Sequence, residues 1–332
     1  MKIININGPI NSGKTTICKL LEKQLPSCLF IEVDNLLLDD EQKSLNLNRS
    51  QGWAERLKRL DTVIDKEKTL KRYKNILFAY PMTNKTYRQW KLWEDQNTKF
   101  INITLAPSID VCLQNRGHRI LNEAEKKRIK QMYDEGYHCL QVSDLIIDNS
   151  AQTPEDTLKK ILFYLNLNIR PAKPEDAYEI KKIHVETYQK SYRGFVPDEY
   201  LDKMLIDDTV IERTKKYLNK TECHLAIYKK RPIGFAYVTY PDDRTFEINA
   251  LYIHPQYQKC GAGSILVNNL CKNKKAQGCK KCVVWTIKSG PSLPFYTKMK
   301  FVRTTEEKMW KFDIPIIKLE KDLQERIDNE NL

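Results

Sequence analysis

The sequence predicts two α/β-class domains in a chain of 332 residues: a parallel sheet with helices on both faces, then a mixed, mainly antiparallel α+β domain. Three observations predict this. In the first half, apolar strands alternate with amphipathic stretches, the rhythm of a parallel sheet covered on both sides. In the second half, three strands follow one another at hairpin spacing, which indicates antiparallel pairing. Each half also carries a glycine turn between a strand and a helical pattern, "GPINSGKT" at residues 8–15 and "QKCGAG" at residues 258–263.

The length suits two cores better than one. The junction falls in "FYLNLNIRPAKPEDAYEI", where a helix ends near Leu165 and two prolines and an aspartate open a new helix. The expected domains are residues 1–168 and 169–332. No stretch approaches the ~20 continuous apolar residues of a membrane span. The start, "MKIININGPI", has no signal-peptide pattern. Nine cysteines, an odd number without framework spacing, read as reduced thiols, so a cytoplasmic protein with no membrane partner is expected. Cys279 and Cys282 form a C-x-x-C without the second pair that zinc would want, and read as thiols at a strand entrance. The net charge of +13 admits a nucleic-acid partner. The basic residues are spread along the chain, however, and a solvated lysine-rich surface is the favoured reading. The densest cluster, "CKNKKAQGCKKC", could equally face ligand phosphates.

"KIININ" is a short strand that runs into Gly8-x4-Gly13-Lys14-Thr15 and then the amphipathic "KTTICKLLEKQL". Strand, glycine loop and helix are the context a P-loop requires. Backbone N–H groups from Gly8 through Asn11, Ser12, Gly13 and Thr16 can close around phosphates of ATP or GTP. Lys14 reaches the β- and γ-phosphates, and Thr15 offers its hydroxyl to Mg²⁺. Further strands are "CLFIEVD", "KNILFAY", "KFINITLAP" and "DLIIDNS", separated by helical patterns such as residues 53–72 and 122–138. Ligands belong beyond the strand C-termini. Asp34, ending the second strand, is a general base or metal-side carboxylate, or else a helix N-cap. Arg116 and Arg119 follow the fourth strand, as a lid over the phosphates or as a solvated basic turn.

These pieces carry a resemblance. "NGPINSGKTT", "VDNLL", "LAPSIDVCLQNRGHR" and "VSDLIIDNSAQTPEDTLKKIL" make the first half similar to small P-loop kinases of the chloramphenicol phosphotransferase and shikimate/adenylylsulfate kinase type. The resemblance implies a base or metal-side role for Asp34. The third strand ends "FAYPMT" and supplies no carboxylate for a Walker B position.

In the second half the strands are "CHLAIYKK", "RPIGFAYVTY" and "RTFEINALYIHP". The last leads into Gln258-Lys259-Cys260-Gly261-Ala262-Gly263 and a helix, a second place where N–H groups can hold a pyrophosphate. "ALYIHPQYQKCGAGSILV", the opening "IRPAKPEDAYEIKKIHVETYQKSYRGFVPDEYLDKML" and the closing "KKCVVWTIKSGPSLPFYTKMKFVRT" resemble the GNAT superfamily of N-acetyltransferases, in order, over residues 169–315. The resemblance implies acetyl transfer from acetyl-CoA to an amine. The pyrophosphate would rest on amides from Lys259 to Ser264, and the pantetheine arm on the strand carrying Leu251, Tyr252 and Ile253. An amide near Tyr252 or Ile253 would face the oxyanion. Tyr296 matches the family's acid and Glu247, eleven residues before Gln258, a base used by some members. From the residues alone, Tyr296 has the acid as its favoured reading and a core aromatic beside Phe295 and Phe301 as the alternative, while Glu247 reads equally as a solvent-facing strand residue. Ser289 stands where many relatives carry asparagine and Lys300 where they carry a turn glycine; Ser289 would still border the coenzyme.

Tyr188, Tyr192 and Phe195 are expected to wall the acceptor pocket. Asp198, Glu199, Asp202, Asp207 and Asp208 would suit a cationic amine if they are not simply a solvated face. The charged tail from residue 316 has a helical pattern. The combined reading is a bifunctional enzyme acting on small-molecule amine and hydroxyl acceptors. Two alternatives stay open: an RNA acetyltransferase loaded by nucleotide hydrolysis, and an acetyltransferase gated by a nucleotide-binding half that transfers nothing.

Overall fold

A computed structural model describes residues 1–115, 119–140 and 142–324. The first unit, Met1–Leu162, runs β1 (Lys2–Asn7), α1 (Lys14–Gln24), β2 (Cys28–Ile31), α2 (Asp39–Ser44), α3 (Arg49–Leu70), β3 (Asn75–Ala79), α4 (Asn84–Lys91), β4 (Lys99–Leu105), α5 (Ile109–Leu113), α6 (Glu123–Asp134) and β5 (Leu145–Ile147), before α7 (Pro154–Asn166). The five strands are all parallel, in the order β2-β3-β1-β4-β5. Central β1 is buried from Ile3 to Asn7, because helices cover both faces of a parallel sheet. Asn48 and Asn122 start α3 and α6 with reciprocal capping boxes to Gln51 and Glu125.

The strand C-termini are organised by neutral polar side chains. Asn5, Asn7, Asn102 and Thr104 are fully buried. Asn5 Nδ2 donates to Asn102 Oδ1 at 3.0 Å, and Asn7 Nδ2 to Thr104 Oγ1 at 2.8 Å. Their amide oxygens accept the Tyr80 and Met82 N–H groups at 2.9 and 2.8 Å. The segment after β3 is thereby fixed against the central strand, while Asn102 Nδ2 is left buried without a partner among the described residues.

The second unit, from Phe163 onward, runs β6 (Leu167–Pro171), α8 (Ala177–Ser191), α9 (Asp198–Asp202), α10 (Asp208–Leu218), β7 (Glu222–Tyr228), β8 (Arg231–Asp242), β9 (Thr245–Ile253), α11 (Ala262–Ala276), β10 (Lys281–Ile287), α12 (Leu293–Lys298), β11 (Val302–Met309) and β12 (Pro315–Asp322). The sheet order is β11-β12-β10-β9-β8-β7-β6. Only β9 and β10 are parallel neighbours. The expected pair of architectures is borne out.

The tail corrects the sequence reading. Residues 315–322 form a strand, not a helix, and it lies inside the sheet between β10 and β11. Ile317 and Leu319 are buried while Lys318 and Glu320 project to the other side, a period of two that the surrounding charges obscure. Lys274, in the basic cluster, is also not a solvated lysine. It is buried and donates to Glu222 Oε1 at 2.7 Å and Oε2 at 2.9 Å. Among the described residues, no helix is long and apolar enough to cross a membrane.

Candidate active sites

Both glycine turns fold as helix starts. Gly13 precedes α1 with φ 95° and ψ 12°, and Gly261 precedes α11 with φ 95° and ψ −5°. This left-handed conformation is strained for any residue with a Cβ. It turns the chain so that the next N–H groups lie free at the helix end. Among the described residues, the N–H groups of residues 13–16 and 259–264 donate to no backbone carbonyl. Two arrays of amides at the positive ends of helices result, each suited to an anion.

The first array sits beyond the C-terminus of β1, as ligand sites in parallel sheets do. Asn11, at φ 64°, donates to the carbonyls of Cys112 and Gln114 at 3.0 and 2.8 Å. Asn149, just past β5, donates to the Ser12 carbonyl at 3.1 Å. The loop is pinned on both sides, and Ser12 Oγ is left buried without a partner among the described residues. Lys14 Nζ folds back onto the carbonyls of Gly8 and Pro9 at 3.0 and 2.6 Å. Burial lowers the Lys14 pKa to about 8; the Arg119 charge lowers it too, while Asp34 works the other way. Lys14, Asp34 and Arg119 are thus brought within electrostatic reach of one another. Asp34 is exposed within a 3-10 turn, residues 33–36, whose N-cap is Glu32, so it is not a helix cap. Arg119 pairs with Glu125 at 2.6 Å. Thr15 and Thr16 are exposed on the first turn of α1. Arg116 lies outside the described residues. After β3, Tyr80, Pro81 and Met82 bring no carboxylate to the loop.

The second array lies at a split in the sheet. β9 and β10 are paired only from Thr245↔Lys281 to Ile248↔Val284. β9 continues to Ile253 and β10 to Ile287, so beyond these pairs the strands part. The register of β8 against β9 jumps from Tyr237↔Ala250 to Val238↔Ile248, which makes Asn249 a bulge. After it, Leu251 and Ile253 join the core that contains Ala262 and Tyr296, while Tyr252 faces a second cluster with Tyr188 and Tyr192. A Cβ on Gly263 would lie 3.4 Å from Phe295 and 3.6 Å from Ile253, so the start of α11 abuts both the end of β9 and α12.

Gln258 and Lys259 are exposed, and Gln258 Nε2 donates to the Ile253 carbonyl at 3.0 Å. Cys260 Sγ donates to the Tyr257 carbonyl at 2.7 Å. Ser264 is half-buried in the first turn of α11, and Ser289 is exposed in the turn after β10. Lys300 holds its turn at φ 63°, so the backbone bend survives the loss of glycine at a cost of about 1 kcal/mol.

Tyr296 is buried, and its hydroxyl makes no hydrogen bond among the described residues. Burial, then Tyr192 and Cys282, push its pKa up, so the phenol keeps its proton at neutral pH. Glu247 is half-buried and accepts from Asn249 Nδ2 at 2.8 Å. The aromatic wall is larger than the sequence suggests. Tyr188 stacks on Tyr192 at 4.2 Å. Trp310 lies 6.3 and 6.0 Å from them. His184 lies 5.1 Å from both Tyr188 and Tyr252. The acidic stretch is largely neutralised: Arg193 pairs with Asp198 and Asp202, Lys203 pairs with Glu199, and Asp207 caps α10. Sequence reasoning missed His184, Lys181 and Trp310. Only the i, i+3 spacing of Lys181 and His184 hinted at a shared helix face.

Residues 178–301 match the acetyltransferase (GNAT) family, and residues 1–148 match the adenylylsulphate kinase family. The uncharacterized N-acetyltransferase YuaI of Bacillus subtilis is 25% identical over 161 residues, 47% of this chain and 90% of that protein. The cytidylate kinase of Archaeoglobus fulgidus is 24% identical over 190 residues, 55% of this chain and 98% of that protein. A GCN5-related N-acetyltransferase from Rhodopseudomonas palustris aligns with 47% of this chain and 94% of its own, at 22% identity and a TM-score of 0.40. A Salmonella typhimurium acetyltransferase solved with its cofactor acetyl-CoA aligns with 48% and 96%, at 18% identity and a TM-score of 0.38. The chain therefore joins a kinase-like P-loop domain in its N-terminal half to a GNAT acetyltransferase domain in its C-terminal half.

Proposed function

We propose that the C-terminal half transfers acetyl from acetyl-CoA to an amine of a small molecule, and that the N-terminal half binds ATP or GTP with Mg²⁺ and phosphorylates a hydroxyl. One observation carries the first part: the parted ends of β9 and β10 open beside the free amides at the start of α11. A diphosphate ester fits amides 259–264, and an extended arm fits the unpaired edge of β9 at Leu251, Tyr252 and Ile253. When bound, the coenzyme supplies an activated acetyl thioester. Glu247 draws the proton from the attacking amine, through water, and the amide near Tyr252 or Ile253 faces the developing oxyanion. Tyr296, protonated and unbonded among the described residues, gives its proton to the departing sulfur.

In the N-terminal half, amides 13–16 and Lys14 would hold the phosphates, and the Thr15 hydroxyl would hold Mg²⁺. The donor set fits a hard cation through oxygen, with Asp34 as a carboxylate within electrostatic reach of Lys14. The ion supplies neutralisation of phosphate charge, and Asp34 takes the proton of the acceptor hydroxyl. The absence of a carboxylate after β3 and the fold-back of Lys14 favour a second reading, in which this half binds nucleotide and transfers nothing. An acceptor screen decides both parts. Thiol release from acetyl-CoA is followed over a library of amines, with and without ATP and Mg²⁺, and products are weighed by mass spectrometry. Acetylated amines support the first part, and its failure in protein that binds acetyl-CoA sinks it. A phosphorylated product eliminates the second reading.

A further inference from the structure

The wall facing Tyr252 carries an electrostatic oddity. Lys181 Nζ lies 3.3 Å from His184 Nδ1 on α8. Lys311, at the tip between β11 and β12, acts on both by repulsion. Neither lysine has a carboxylate partner among the described residues, although the chain neutralises most of its nearby acids in pairs. His184 is largely surrounded by the rings of Tyr188 and Tyr252. Burial, then the charges of Lys181 and Lys311, push its pKa down to about 4, so the ring is neutral at pH 7. Lys181 can only donate, so Nδ1 accepts and Nε2 carries the proton. The cluster therefore presents two ammonium groups and one imidazole N–H, with no carboxylate paired to them among the described residues. Lys181 is half-buried beside His184 and Lys311 is exposed, so a cationic edge without a paired carboxylate among the described residues borders the aromatic wall, and an anionic ligand group would answer it.

The tip that carries Lys311 is itself held in an unusual conformation. Phe312 and Asp313 have φ of 57° and 52°, a bend that favours glycine and asparagine. Phe312 sets its ring 5.0 Å from that of Tyr200 on α9, and Trp310 joins the stack of Tyr188 and Tyr192. The strain fixes two aromatic rings and one cation on the same wall as Lys181 and His184.

We infer that the acceptor of the acetyltransferase half is a flat or aromatic amine that also bears a carboxylate, held by Lys181, His184 Nε2–H and Lys311 with its ring on the wall of Tyr188, Tyr192 and Trp310. This deepens the acetyl-transfer reading proposed above and rests on it. It replaces a purely cationic amine, which the neutralised acids of α9 cannot attract and the lysines repel.

The test uses the full chain and two probes of one shape and opposite charge, 3-phenylpropionate and phenethylamine. In NMR titrations, 3-phenylpropionate shifts the His184 ring signals and saturates, while phenethylamine binds at least roughly tenfold more weakly. Lys181→Gln weakens 3-phenylpropionate about tenfold, Lys181→Arg restores most of it, and acetyl-CoA affinity is unchanged in both. Phenethylamine binding as tightly as the acid, or 3-phenylpropionate indifferent to Lys181→Gln, overturns the inference. Calorimetry with acetyl-CoA runs in parallel. Absent coenzyme uptake sinks the acetyl-transfer reading, while the 3-phenylpropionate arm still decides the anion site. Coenzyme uptake without a 3-phenylpropionate response overturns the anion site alone.

Discussion

The two glycine turns use the same backbone device to different ends. Gly13 and Gly261 share φ 95°, and each starts a helix whose first amides are free. The P-loop adds a cation inside the loop, and that lysine rests on the loop's own carbonyls. The second loop has no cation folded inside it: its Lys259 is exposed, and the nearest atom to a Cβ on Gly261 is the tip of Ile265. A terminal triphosphate concentrates charge and needs an ammonium at its end. A diphosphate in the middle of a larger molecule carries less, and amide dipoles suffice. The buried polar networks differ in the same way. The first unit holds its strand ends with neutral amides of Asn5, Asn7 and Asn102, and the second closes β7 against α11 with Glu222 and Lys274.

The largest effect separates those two interiors. Burial works to raise the Glu222 pKa, but hydrogen bonds from Lys274, Tyr240 and His224 outweigh it and hold the carboxyl at about 2. An unfolded glutamate titrates near ~4.3. The folded pKa is the lower one, so the stabilisation is present above ~4.3 and is lost as pH falls toward 2. Glu222→Gln leaves Lys274 buried without its anion and should cost about 3 kcal/mol at pH 7. Calorimetry should show the second unit melting earlier in the variant, with a flatter melting temperature between about pH 4.5 and 2. A variant melting as the native chain does at pH 7 would remove the ion pair from the stability of this unit.

Next comes Tyr296→Phe. Loss of the only protonated group proposed at the leaving sulfur should lower kcat about 100-fold, with coenzyme affinity nearly unchanged. The ring stays in the core between Phe295 and Phe301, so packing is conserved. An equal loss in KM and kcat would assign Tyr296 a positioning role instead.

Both cradles were legible in the sequence because their signal is local: glycines between a strand and a helix dictate the bend wherever the rest of the chain goes. The parallel class of the first sheet and the mainly antiparallel class of the second also followed from local rhythm. What escaped depends on contacts far apart in sequence. The strand of residues 315–322 alternates Ile317 and Leu319 with Lys318 and Glu320, yet only its seat between β10 and β11 tells a strand from a frayed helix. Lys274 looks like one more solvated lysine until Glu222, fifty-two positions away, is folded against it. The acidic run of α9 read as a solvated face or a cation site, and only the fold shows Arg193 and Lys203 spent on it. Trp310 and His184 meet the tyrosines from opposite ends of the domain sequence, so no window could have paired them.

Gly261→Val tests whether the device is the same in both loops. A β-branched residue at φ 95° meets a left-handed penalty of roughly 1–2 kcal/mol, and the bend must open and misdirect amides. Acetyl-CoA affinity should fall about 30-fold, while ATP affinity stays as it was. Parallel losses at both ligands would mean the variant unfolds rather than loses one cradle.

The smallest effect turns on the lysine folded back inside the P-loop. Burial lowers the Lys14 pKa to about 8 in the ligand-free loop. A phosphate beside the ammonium favours the charged form and restores the pKa toward its usual range. Nucleotide binding near pH 8 should therefore take up a proton. Affinity is full while free Lys14 is charged, below pH 8, and is lost as pH rises past it. Between pH 7 and 9 the charged fraction of a group titrating at 8 drops about tenfold, so the ATP dissociation constant should rise about tenfold. The second loop has no lysine folded inside it, and acetyl-CoA affinity should stay flat across that window. Calorimetry in two buffers of different ionisation enthalpy reads the proton uptake directly. Should both ligands respond alike to pH, or ATP bind without proton uptake, Lys14 is not what distinguishes the two loops, and the amides alone do the holding in each.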